Sequence, residues 1–115
     1  MIIDHRIYTL PHGQTEEYLE RYGRLALPVQ EEHLGGWLGC YVSDIGPLNQ
    51  VLHLWAYDSL AEREARRETL DRDPRWAEFR RDNVGSFTAQ ETRIMRAAPF
   101  VPNTLIGGLR GNGGR

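Results

Sequence analysis

The stretch LHLWAYDSLAEREARRETL, residues 52–70, decides the fold. Its first part reads as a strand and its second as a highly charged helix, with the change of period at Asp58-Ser59. Val51, His53, Trp55 and Tyr57 alternate with Gln50, Leu52, Leu54 and Ala56, the two-residue period of a strand over 49–57. Ser59 caps the helix, and Glu62 stands three residues later, where a capping box places its acid. Glu62 and Arg66 form an i,i+4 pair that supports an exposed helix by about 0.2–0.5 kcal/mol. Leu60, Arg63, Arg67 and Leu70 share one stripe, and like charges four apart repel. Arg63 or Arg67 is therefore expected to lie over the sheet edge and meet an acid, with Asp44 and Glu91 as candidates. Trp76 and Phe79 would complete the apolar cover. The alternative is a solvated surface with arginine stems along its margin.

Working outward, residues 2–9 form a first strand, with Ile3, His5, Ile7 and Thr9 on one face and Asp4, Arg6 and Tyr8 on the other. Thr15 is placed to cap a helix that opens on Glu16 and Glu17 and carries Tyr18, Tyr22, Leu25, Ala26 and Val29 as an apolar stripe. Pro28 should interrupt or kink it near its end, and Gly35-Gly36 stops it. Residues 37–43 form a second strand, followed by the Asp44-Ile45-Gly46-Pro47 turn. Asp73-Pro74 ends the charged helix, a short helix carrying Trp76 and Phe79 follows, and residues 90–96 form a last strand. The expected organisation is one domain over 1–102 and a flexible glycine-rich tail over 103–115.

The order β-α-β-β-α-β specifies an α+β, ferredoxin-like plan with a four-stranded antiparallel sheet and its helices on one face. The other face should then be polar. On this reading it carries Tyr8, Tyr41, His53, Trp55 and Tyr57 instead, and a second copy of the chain is the simplest cover: a homodimer with two sheets face to face.

Composition sets the outer limits. A chain of 115 residues with 40% hydrophobic and 26% charged residues fits a single soluble domain. A formal charge of −2 gives no electrostatic case for nucleic acid or an anionic membrane. No apolar run approaches the ~20 residues of a membrane span, and MIIDHRIYTL has charges where a signal peptide has its apolar core, so a cytoplasmic location is expected. The single cysteine, Cys40, excludes a disulfide framework and reads as packing within a strand. No two histidines have metal-ligand spacing, and no metal site is expected.

The IYTLPHG segment, the block GCYVSDIGPLNQVLHLWAYDSLAEREARRETL and the DPRWAEF that follows resemble the NIPSNAP family. The LNxVxHxWxY strand leading into a capped, arginine-rich helix is the specific part. QETRIMR and PFVP are family-like but less distinctive, and Asp4 stands where such sequences often have glutamate. The resemblance implies a homodimeric α+β barrel with more force than it implies a reaction, since related barrels include cofactor-free monooxygenases, isomerases and haem enzymes. The single short domain, with no transit peptide, looks like the stand-alone bacterial type.

Strands one and three are neighbours in this plan, which brings Asp4, Arg6 and Tyr8 beside His53 and Trp55. These five, with Tyr41 and Arg93, are expected to line a pocket in each half of the dimer. His53 or Asp4 would act as base, Arg6 would fix a carboxylate or enolate oxygen, and Tyr8, Tyr41, Trp55 and Arg93 would hold the ligand. The leading reading is a protein that binds a small aromatic or carboxylated metabolite, with a cofactor-independent monooxygenase or isomerase as its catalytic form. The alternatives are a non-catalytic interaction or scaffolding module with a filled barrel, in which the same residues only pack and pair, and a haem protein with His53 as axial ligand. His5 should be core beneath a helix, and His12 and His33 solvated.

Overall fold

The computed structural model describes residues 1–102; the expected tail, 103–115, lies outside the described residues. Strand β1 (Ile2–Thr9) is followed by helix α1 (Thr15–Arg21), which passes through a π-helical turn (Tyr22–Ala26) into α2 (Leu27–Leu34). Then come β2 (Trp37–Val42), β3 (Gln50–Tyr57), α3 (Leu60–Asp71), α4 (Pro74–Asp82) and β4 (Ala89–Met95). The strands form one antiparallel sheet in the order β2-β3-β1-β4, so β1 and β3 are neighbours as expected. This is the ferredoxin-like plan.

Local chemistry explains most boundaries. The Ser59 hydroxyl accepts from the Glu62 N–H at 3.1 Å, and the Glu62 carboxylate accepts from the Asp58 N–H at 2.9 Å, so the capping box closes one residue further out than usual. Asp73 caps α4 by accepting from the Arg75 N–H at 2.9 Å. Gly35 ends α2 in the left-handed region at φ 78°, where a side chain would be strained, and a Cβ there would also meet the Arg66 guanidinium. Pro28 neither breaks the helix nor ends it. It sits in the first turn of α2, just after the π turn, where the wider spiral absorbs a residue that cannot donate. Thr15 does not cap α1: Gln14 holds that position without a side-chain bond. Asn49 lies outside β3, with φ 63°, a value asparagine tolerates.

The orientation of the sheet is the main correction. In the β1–β3 register Asp4 faces Trp55, Arg6 faces His53 and Tyr8 faces Val51, so these side chains do share one face. It is the face the helices cover, where Asp4, Val51 and Tyr57 are fully buried and His53 and Trp55 are 2% exposed. The bare face carries Ile3, His5, Ile7, Leu52 and Leu54, so His5 is not beneath a helix. Cys40 packs half-buried against the core from β2, and burial pushes its thiol pKa up.

Candidate functional site

The helices touch the covered face through polar pairs as well as apolar ones. Arg63 of α3 reaches down to Asp4 at 2.9 Å, so the expected anchoring of this helix is real, but the acid is Asp4 and neither Asp44 nor Glu91. Leu60, on the same stripe, is 55% exposed, so Arg63, Arg67 and Leu70 are the members of the stripe that face inward, and beside them Arg66 donates to the His33 carbonyl at 3.2 Å. Arg6 approaches the other oxygen of Asp4 to 4.0 Å, too far for a hydrogen bond. From α1, the Tyr18 hydroxyl and His53 Nε2 share a hydrogen bond of 2.9 Å, while Nδ1 of His53 is buried without a partner. The Tyr22 hydroxyl donates to Oε1 of the buried Gln30.

These residues surround a cavity of about 420 Å³, within the range of small-molecule sites. Arg6, Tyr8 and His53 form its floor, Tyr18 and Tyr22 one wall, and Arg67, Trp76, Phe79 and Phe87 much of the rest, with the 83–85 segment and Gln90 beside them. The rings are ordered among themselves. Tyr8 stacks on Phe87 with centroids 4.4 Å apart, Trp76 stacks on Phe79 at 5.7 Å, and His53 sits between Tyr22 at 4.5 Å and Tyr8 at 5.5 Å. At the rim Arg80 and Asp71 pair at 3.5 Å.

Burial, and then the charge of Arg6, push the His53 pKa down to about 4, so the imidazole is neutral at pH 7. Burial raises the Tyr18 and Tyr22 hydroxyls well above the ordinary phenol value, so both keep their protons. Burial, and next the repulsion of Arg6, push the Arg67 guanidinium pKa down. The cavity is therefore walled by a neutral imidazole paired with Tyr18, a second protonated phenol paired with Gln30, and two guanidiniums.

Of the seven residues expected at the site, Arg6, Tyr8 and His53 line the cavity. Asp4 and Trp55 lie on the same face without lining it, and Asp4 acts through Arg63. Tyr41 and Arg93 are not brought to it. Tyr41 registers with Leu52 and Arg93 with His5, both on the bare face, where Arg93 pairs with Glu91. Sequence reasoning missed Tyr18 and Tyr22 as site residues, having taken them for a plain apolar stripe. It also treated Arg67, Trp76 and Phe79 as cover and passed over Phe87. The available signal was the phenolic hydroxyls, since a buried tyrosine usually finds a polar partner.

Two other features bear on earlier expectations. His33 is not solvated, because its Nε2–H donates to Asp73 at 2.8 Å. With Glu32 these residues form the one group among the described residues with metal-ligand proximity, and Arg75 already donates to both carboxylates, at 2.5 and 2.7 Å. A haem does not fit this donor set: Nε2 of His53 is engaged by Tyr18 and Nδ1 is buried beneath the ring cluster. Among the described residues no helix is long and apolar enough to cross a membrane.

The NIPSNAP family model matches residues 3–102. Protein NipSnap homolog 3B of Mus musculus is 33% identical over 98 residues, which cover 83% of this chain and 38% of that protein. Protein NipSnap of Drosophila melanogaster is 29% identical over 102 residues, covering 89% and 37% respectively. The chain thus spans less than two fifths of these relatives. Among solved structures, a NIPSNAP family protein of unknown function from Agrobacterium tumefaciens is 36% identical, with a TM-score of 0.84 and coverage of 89% of this chain and 92% of that one. A protein from Nitrosomonas europaea, provisionally named an antibiotic biosynthesis monooxygenase, shares the fold at 13% identity, a TM-score of 0.63 and coverage of 84% and 98%. With the family pattern running through both the sheet and the helices that enclose the cavity, the chain belongs to the NIPSNAP family.

Proposed function

We propose that the protein binds a small planar metabolite, aromatic or carboxylated, in the cavity between its sheet and helices. The observation that carries this reading is the ring-walled cavity itself: about 420 Å³ left open above Arg6, Tyr8 and His53, where a scaffolding module would pack side chains. The Tyr18 hydroxyl, hydrogen-bonded to His53 Nε2, can take a proton from a bound ligand as it passes its own to that nitrogen, and the nearby guanidiniums stabilise the oxyanion that results. That is the chemistry a cofactor-independent monooxygenase or isomerase needs. The shared fold of the Nitrosomonas europaea protein agrees with it without assigning it.

The protein acts, in this proposal, as a homodimer. Ile3, Ile7, Leu52 and Leu54 occupy the bare face with Tyr41 and Met95 at its edges, and a second copy would remove this apolar surface from water. Native mass spectrometry of protein purified from its own host tests both parts. A dimer carrying one small aromatic or carboxylated molecule per subunit is expected, whereas an empty protein that takes up no aromatic compound would overturn the ligand reading.

A further inference from the structure

Arg6 and Arg67, which both line the cavity, are only partly neutralised by the protein. Three guanidiniums, those of Arg6, Arg63 and Arg67, gather near the single buried carboxylate of Asp4. Arg63 holds Asp4 at 2.9 Å and is itself shared with Glu64 at the surface, also at 2.9 Å. Arg6 is left 4.0 Å from Asp4, with its Nε buried and unpartnered. Arg67 lies beside the buried Tyr57 hydroxyl, its Nη1 buried without a well-aligned hydrogen bond, and stands near enough to Arg6 for the two cations to repel. The acid that lines the cavity, Asp71, is engaged by Arg80 at the rim. Two partly buried guanidiniums that repel one another and share one carboxylate are costly to hold together, and an anion between them offsets that cost.

Resting on the reading of the cavity as a ligand site, we propose that Arg6 and Arg67 form a carboxylate subsite, and that the ligand is an aromatic monocarboxylate. Its acid group lies between these two side chains, and its ring lies among Tyr8, Tyr22, Phe79 and Phe87. A guanidinium presents a planar fork that matches a carboxylate, and the stacked pairs Tyr8–Phe87 and Trp76–Phe79 offer flat walls to a ring coplanar with that acid. Arg6 was a candidate from the sequence, but Arg67 enters only through its burial on the cavity wall. The rim pair Arg80–Asp71 is neutral in sum and does not repel an approaching anion.

The test compares 2-naphthoate with its neutral isostere 2-naphthamide by isothermal titration, in the full-length protein and in Arg67→Gln, Arg67→Lys and Arg6→Gln, each checked for folding by circular dichroism. The acid should bind at least about tenfold more tightly than the amide, as expected for a charge-assisted pair. Arg67→Gln should abolish that preference, and Arg67→Lys should recover only part of it, since lysine keeps the charge and loses the fork. An amide that binds as well as the acid, or an acid preference that survives Arg67→Gln, overturns the subsite while leaving the cavity as a site for aromatic compounds. Failure of both probes to bind at millimolar concentration overturns the cavity reading and the subsite with it. Should Arg67→Gln not fold, the acid-to-amide ratio in the unaltered protein and in Arg6→Gln decides.

Discussion

The two faces of the sheet divide their chemistry against the usual pattern. The covered face holds Asp4, Arg6 and His53, and the helices add Arg63, Arg67 and Tyr18 to it. The bare face carries Ile3, Ile7, Leu52 and Leu54. In an ordinary one-sided sheet the apolar residues lie under the helices and the polar ones face water. The departure is partial, since Val51, Trp55 and Tyr57 also lie under the helices and His5, Glu91 and Arg93 on the bare side, and it shows that each face answers to what it meets. Polar groups inside are tolerated because they pair across the sheet–helix interface and surround a cavity. Apolar groups outside are tolerable where a second protein surface covers them.

Breaking the covered face at its most buried charge should have the largest effect. Asp4→Ala leaves Arg63 and Arg6 facing an empty, desolvated site and is expected to lower stability by about 3–5 kcal/mol. Urea denaturation measures this directly, and a loss below about 1 kcal/mol would mean that Arg63 turns outward to Glu64 without penalty.

Acid tests the same face through His53. Its folded pKa, about 4, lies below its ordinary value of 6.5, so between these two values the unfolded chain takes up a proton that the folded chain refuses. Stability should therefore fall as pH drops from 6.5 to 4 and level off below, with His53 contributing at most about 3 kcal/mol. His53→Gln should flatten this part of the profile relative to the unaltered protein. Equal slopes for the two would show that His53 protonates in place.

The bare face should respond in the opposite sense. Leu54→Lys introduces a charge on the side away from the cavity, so the fold and ligand affinity should persist while association weakens by about 2 kcal/mol or more, as for a central contact residue. Sedimentation velocity across a concentration series reports the shift, and an unchanged sedimentation coefficient would count against the bare face as the surface of the proposed dimer. Tyr18→Phe is the finest probe. It removes one hydroxyl from the covered face, leaves His53 Nε2 without its partner and should cost about 1–2 kcal/mol in thermal or urea melts.

The sheet order, the strand boundaries to within about a residue and the change from strand to helix at Ser59 were legible in the sequence, because alternation and capping are local. The side of the sheet was not. Leu52 and Leu54 are as apolar as Val51 and Trp55, so β3 offers no contrast between its faces. On β1 the contrast misleads, because Ile3 and Ile7 look like core and Asp4 and Arg6 like surface. The deciding information lay on α3, where Arg63 needed an acid. Asp4 was passed over because a carboxylate is rarely placed beneath a helix. For the site, Arg6, Tyr8 and His53 followed from strand pairing. Tyr18, Tyr22, Arg67 and Phe87 depend on how the helices and the segment before β4 settle over the sheet, which no local pattern encodes.

The π turn at Tyr22–Ala26 bears on phase. The first helical region buries Tyr18, Tyr22, Ala26, Gln30 and Leu34 at a stride of four, with Val29 beside them. In a regular helix each such stride overruns the turn by about 40°, and four strides would carry Leu34 about 160° away from Tyr18. Local unwinding takes back part of that advance and holds one continuous line against the sheet. Deleting a single residue within the turn would restore regular helical bonding, and the ~100° lost with that residue offsets the unwinding lost with the turn, so Gln30 and Leu34 should keep their places in the core. The same deletion made in the regular turns of α1 or α2 would instead swing the residues after it by about 100°, so the π turn is where this helical region can absorb a change in length.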